Sequence, residues 1–286
     1  MGKWTRRAFV TAGIAAGGVV VFGVAIRRGD RSGKVRGLVA DDAESLFDVW
    51  LKIAPDNTVT AIIPHADMGQ GVHTALAMML ADELDADWSG VRFEEAPAHK
   101  EFANYALARE YSTSGMDFPA WLIDSVDGLF FRATQMMGLQ ITGGSLSVRT
   151  TGQLAMRVTG AATRAVLLQA AANEWQVPVS ELRTADSMVR HEASGREATF
   201  AHLAPAAAEL RLPDKPALKS PDAFRIMGTS PPRFDVPSKV DGSADFGIDA
   251  VLPGMKYATI KAAPVFGGSV LSVDESSIQD MPGIRK

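Results

Sequence analysis

The sequence predicts an α+β fold, and three observations carry that prediction. Short segments suited to strands fall at 46–63 and 91–96. Two longer stretches with helical apolar spacing cover roughly 119–140 and 152–175. Strand-like segments then return after residue 246. The 286 residues are 47% hydrophobic and 22% charged, the balance of a packed chain of one or two domains. Polar residues interrupt every apolar run after residue 26, which excludes a polytopic membrane protein. The chain has no Cys, and so no disulfide, Cys-ligated zinc, iron–sulfur cluster or thiol nucleophile of its own.

The first segment, residues 1–36, reads as an address. It carries eight Lys/Arg against one acid, Asp30, whereas the remaining 250 residues carry 21 basic and 32 acidic groups. An acidic body repels phosphate backbones, so no nucleic-acid partner is expected. Arg6-Arg7 precede nineteen uncharged residues, Ala8 to Ile26, and Arg27, Arg28, Arg31, Lys34 and Arg36 follow. A twin arginine before an apolar stretch resembles a twin-arginine export signal, which implies a periplasmic protein. Gly23-Val24-Ala25 is a cleavage candidate; retention as an inner-membrane anchor is the alternative.

The body then reads element by element. Phe47–Ile53 alternates as a half-buried strand, Pro55-Asp56-Asn57 turns, and Val59–Ile63 returns, making a hairpin. Thr74 to Leu84 has helical spacing and Val91–Ala96 is a strand. Residues 97–117, rich in small and polar groups, read as a long loop. The two long helices follow, joined by Thr142-Gly143-Gly144-Ser145-Leu146-Ser147-Val148-Arg149. Met188–His191 and Glu197–Phe200 flank a hairpin turn, and Ala201–Leu210 is a short helix. Six prolines in 211–238 mark a linker. Phe246–Val251, Met255–Ala262 and Ser269–Asp274 read as strands. The predicted organisation is 1–36 signal or anchor, 37–210 first domain, 211–238 linker and 239–286 the start of a second domain.

Two glycine loops could carry chemistry. Met68-Gly69-Gln70-Gly71-Val72-His73-Thr74 joins a strand to a helix. Glycines permit a sharp turn and close ligand approach, and a helix N-terminus favours anions such as phosphate. Thr74 can cap that helix or contact a phosphate. The loop is neither a dinucleotide fingerprint nor a P-loop, since it lacks the third glycine and the Lys-Ser/Thr. A plain glycine turn remains the alternative. Gly143 to Arg149 repeats the logic, with an interhelix connection as its alternative. His65 and His73 flank the first loop but make a poor metal site without a third ligand. Asp82-Glu83 and Glu94-Glu95 read as solvated charges. The chain has no Gly-x-Ser-x-Gly, so nothing supports a serine hydrolase.

His65-Ala66-Asp67 with Met68–Thr74, the following Ala75–Trp88, Thr142–Arg149, Phe234–Asp249 and Leu252–Tyr257 together resemble one family. It is the molybdopterin-binding (large) subunit of the xanthine dehydrogenase/aldehyde oxidase family. The nearest branch is that of the isoquinoline 1-oxidoreductase large chains and related membrane-linked aldehyde dehydrogenases. The resemblance implies a molybdopterin-binding segment followed by the entry to a hammerhead-type α/β domain. It implies a molybdenum pyranopterin, in bacteria the cytosine dinucleotide form, that hydroxylates an aldehyde or N-heterocycle with oxygen from water. Electrons would pass to a [2Fe-2S] small subunit, with a cytochrome c as a further partner. Gly69, Gln70, Gly71, Thr74, Gly144, Ser145 and Ser147 would hold the cofactor. Leu146 departs from the family's usual hydroxyl residue. The family's catalytic glutamate has no counterpart here, because no Gly-x-Gly-Glu run occurs. The expectation is therefore an N-terminal portion, either truncated or one half of a split subunit whose partner is the missing C-terminal half, and inactive alone. A non-catalytic cofactor-binding or scaffold protein is the alternative, and an export-linked binding module a third reading.

Overall fold

The computed structural model describes residues 31–113 and 116–284, so the twin-arginine segment through Asp30 lies outside the described residues. The chain divides into two compact units, one ending at Val240 and one starting at Asp241.

The first unit is α+β. After helix α1 (Ser32–Val39), a sheet of four strands forms in the order β1 (Ser45–Phe47), β2 (Leu51–Ile53), β3 (Val59–Ile63), β4 (Val91–Glu95). The first three pair antiparallel, whereas β3 and β4 run parallel with Val59 opposite Val91. A parallel pair needs a crossover, and α2 (Val72–Leu84) supplies it. The expected single strand Phe47–Ile53 is two. Asp48, at φ 52°, turns the chain after Phe47, and Val49 and Trp50 are buried in the turn, where the Trp50 carbonyl accepts the Ile62 N–H at 2.9 Å.

Helix α2 is buried on nearly every side, because it is packed between the sheet and α6 (Arg157–Trp175). That explains why its sequence is apolar almost all round rather than striped. The two helices cross at Gly160, where a Cβ would lie 2.4 Å from the Leu80 carbonyl oxygen. The expected loop 97–117 holds a 3-10 turn (Lys100–Phe102) and α3 (Tyr105–Thr113). Phe102 and Leu107 anchor it in the core, a tertiary preference that small-residue composition concealed. Helix α4 (Ala120–Met137) follows. α5 (Ser145–Thr151) continues through a π turn (Gly152–Met156) into α6, so the second glycine loop is helical from Ser145 onward. A three-stranded meander, β5 (Leu182–Ala185), β6 (Met188–His191) and β7 (Arg196–Thr199), leads into α7 (Phe200–Ala208).

The proline-rich stretch is a strap held on α2. Asp82, fully buried, accepts hydrogen bonds from the backbone N–H groups of Arg225 (3.1 Å), Ile226 (2.9 Å) and Met227 (2.8 Å), and binds Lys219 Nζ at 3.2 Å. Glu83 pairs with Arg157 at 2.6 Å and accepts the Lys219 N–H at 3.0 Å. The reading of Asp82-Glu83 as solvated charges is therefore corrected. Prolines remove internal partners from the strap, and its free N–H groups take the buried carboxylate instead.

The second unit carries one 3-10 turn, Gly247–Asp249, and none of its described residues is in a strand. The expected strands at 246–251, 255–262 and 269–274 are thus corrected. Each lacks a partner edge here, and a lone strand cannot satisfy its own backbone groups. Their apolar side chains, among them Ile248, Ile260 and Phe266, are exposed.

Candidate functional site

The two glycine loops lie side by side. The Ala66 N–H donates to Thr142 Oγ1 at 3.0 Å. Behind them His65 is buried: its Nδ1 donates to the Ile141 carbonyl (3.1 Å), which leaves Nε2 to accept the Thr151 hydroxyl (2.8 Å). Burial lowers its pKa to about 4, so the ring is neutral at pH 7. His73 Nε2 donates to the His65 carbonyl at 2.8 Å, and its ring stacks on Phe93. Both histidines are structural. Among the described residues, no group of three His, Asp or Glu could hold a metal ion.

The first turn is built by its own side chains. Asp67 Oδ1 accepts the Gly69 N–H at 2.7 Å, Gln70 Nε2 donates to the Ala66 carbonyl at 3.0 Å, and Gln70 Oε1 accepts the Met68 N–H. Gly69 and Gly71 take φ of 96° and 73°, a region costly for other residues, and Gly71 starts α2. Among the described residues nothing lies within 4 Å of where a Gly69 Cβ would be. A Gly71 Cβ would meet only the Arg233 side chain, at 3.7 Å, an ordinary contact. Within this chain Gly71 is therefore required by its backbone angle, not by crowding.

Gly144 mirrors Gly69, with φ 55° and open space at its Cβ among the described residues. Ser145 is exposed at the start of α5. Ser147 is fully buried, and its Oγ accepts the Gly143 N–H at 2.6 Å. Thr74 is also buried and accepts the Phe234 N–H at 3.1 Å. So the structure brings all seven expected residues to one region but divides them. Gly69 and Gly144 border open space and Ser145 is exposed, Gly71 lies against the Arg233 side chain, and Gln70, Thr74 and Ser147 spend polar atoms holding backbone. Arg233 escaped the sequence reading. Its Nη1 donates to the Gly69 carbonyl (2.9 Å), and its Nη2 meets Asp67 Oδ1 (3.3 Å) and Asp235 Oδ2 (2.6 Å). Position alone hides it, since it lies more than 160 residues from the loop.

Residues 13–107, which include the first glycine turn, match the molybdopterin cofactor-binding domain family. The chain is 30% identical to the beta subunit of isoquinoline 1-oxidoreductase from Brevundimonas diminuta, over 99% of this chain and 36% of that one. It is 32% identical to a membrane-bound aldehyde dehydrogenase (pyrroloquinoline-quinone) of Gluconacetobacter polyoxogenes, over 98% of this chain and 32% of that one. A nicotinate dehydrogenase subunit of Pseudomonas putida is 28% identical over 87% of this chain and 19% of that one. A solved Cu,Mo-CO dehydrogenase aligns over 55% of this chain and 15% of that one, at 21% identity and a TM-score of 0.35. In these matches the chain is similar to molybdopterin-binding subunits of the xanthine dehydrogenase family, and the relatives matched are oxidoreductases. It spans about a third of the length of the first two relatives.

The residues present fit such a cofactor at the backbone level. Two glycines with left-handed angles and no side chain lie on adjacent turns. The first of these turns, through Gly71, opens a thirteen-residue helix, whose first N–H groups have no intrahelical partner. That pairing suits a flat, anionic, phosphate-bearing group.

Proposed function

We propose that the chain forms one wall of the molybdenum-pyranopterin site of an exported hydroxylase acting on an aldehyde or N-heterocycle. The observation that carries this reading is the pair of open glycines, Gly69 and Gly144, on turns tied together through Ala66 and Thr142. When bound, the cofactor supplies the redox chemistry that hydroxylates a substrate carbon with oxygen from water. This chain's residues bind and orient it. The Gly69, Gly71 and Gly144 backbones allow close approach, the α2 N-terminus faces its negative charge, and Ser145 offers an exposed hydroxyl. Gln70, Thr74 and Ser147 keep the two turns in shape. The cytosine dinucleotide form, a [2Fe-2S] small subunit as electron acceptor, a cytochrome c, periplasmic export and a hammerhead continuation after the strap belong to the same proposal. The relatives' names span two N-heterocycles and aldehydes, which supports the substrate class.

The test is cofactor analysis of the chain purified with its partner subunits. Molybdenum and pterin each near one per folded chain are expected. Pyrroloquinoline quinone in place of molybdenum, or neither cofactor, contradicts the proposal.

A further inference from the structure

The strap ends on the cofactor-facing turn, and its last contacts form a connected cluster. Phe234 donates its N–H to Thr74 in the first turns of α2, and its ring stacks on Trp88 (5.1 Å) and Phe93 (5.6 Å). Phe93 in turn stacks on His73. These contacts fix the backbone on which Arg233 stands. Asp235 binds two guanidinium nitrogens, Nε at 2.9 Å and Nη2 at 2.6 Å, and so orients the fork. The remaining donors face the turn, with Nη1 on the Gly69 carbonyl and Nη2 on Asp67 Oδ1. Asp67 Oδ1 is the same atom that accepts the Gly69 N–H. One guanidinium therefore holds both the carbonyl of Gly69 and the carboxylate that fixes its amide. The other oxygen, Asp67 Oδ2, is buried and makes no hydrogen bond within the described residues. Among the described residues, Arg233 is the side chain that meets the Asp67 carboxylate.

We propose that Arg233 is a positioning residue for the pterin-facing turn: carried by the strap, it sets the Met68–Gly71 backbone in its cofactor-receptive shape by clamping Gly69 and Asp67. The proposal rests on the pterin reading above. It assigns the strap a functional role that its linker-like sequence does not suggest. A Lys cannot replace the fork, because a single ammonium cannot hold Asp235, Gly69 and Asp67 in one plane.

The test has two arms. In the cofactor-free full chain, amide hydrogen exchange is measured for Arg233→Ala and Asp67→Asn. Exchange at Met68–Val72 is expected to rise about tenfold in Arg233→Ala and less in Asp67→Asn, with α6 amides unchanged. Millimolar methylguanidine is expected to restore protection in Arg233→Ala, an effect that a general loss of packing would not show. In the assembled complex, molybdenum and pterin per folded chain are expected to fall about fivefold in Arg233→Ala. Unchanged exchange at the turn in both variants, or no rescue by methylguanidine, overturns the clamp. Raised exchange with full cofactor content overturns its role toward the pterin. A wild-type complex free of pterin instead overturns the functional reading beneath, while the exchange arm still decides the clamp.

Discussion

Replacing Asp82 by Ala removes the acceptor on which the strap is hung. The carboxylate receives three backbone N–H groups at 3.1, 2.9 and 2.8 Å and the Lys219 ammonium at 3.2 Å. Each buried donor left unpaired costs about 1–3 kcal/mol, and a broken buried ion pair about 3–5 kcal/mol. The strap can lift and let water reach some of the four donors, so the sum is not realised. The expected loss is about 3–5 kcal/mol. With a urea m-value of about 2 kcal/mol/M, the unfolding midpoint should fall by roughly 2 M. The pH dependence has a definite sign. Burial raises the Asp82 pKa, but the amides of Met227, Ile226 and Arg225 together with Lys219 outweigh it, and the net shift is downward from 3.8. A depressed folded pKa gives stability that is present above the unfolded value and lost as pH falls through the folded one. The difference between wild type and variant should therefore hold from about pH 5 to 8 and shrink only below about pH 4. A midpoint shift under about 0.5 M at pH 7 would refute the claim that this carboxylate anchors the strap.

Three further outcomes follow from the same structure. His65 is neutral when folded, with a pKa lowered from 6.5 to about 4 by burial. The unfolded chain binds the extra proton, so stability should rise between about pH 4 and 6.5 by roughly 3 kcal/mol, and urea midpoints for His65→Gln should lose that slope. Gly160→Ala should destabilise by about 1–3 kcal/mol despite its better helix propensity, because the new Cβ meets the Leu80 carbonyl; calorimetry showing a stabilised variant contradicts the close crossing. Changing Arg6 and Arg7 both to Lys should leave the protein in the cytoplasm, and cell fractionation showing undiminished export rejects the twin-arginine reading.

Local signals carried much of the first unit. The β3–turn–α2–β4 passage was legible because apolar spacing and two glycines coincide over Val59–Glu95. The glycine loops were legible for the same reason: few residues other than glycine tolerate φ near 70–100°, so the sequence marks the turn itself. What failed were the partners of particular residues decided at long range. Asp82 and Glu83 looked solvated because their partners, Lys219, Arg225–Met227 and Arg157, lie more than 70 residues away. The strap looked like a linker because proline content reports missing internal hydrogen bonds, not where the freed groups go. Arg233 was invisible on the same account. The 246–274 segments are short and apolar enough to read as strands, yet local composition does not say whether a partner strand exists.

The central claim is that one flat anionic cofactor is held between the two glycine turns. The direct measurement is amide hydrogen exchange of the assembled complex with and without its cofactor. Met68–Val72 and Thr142–Ser147 should gain protection together on loading, while the β5–β7 meander stays unchanged. Protection at only one turn, or at neither, would contradict it.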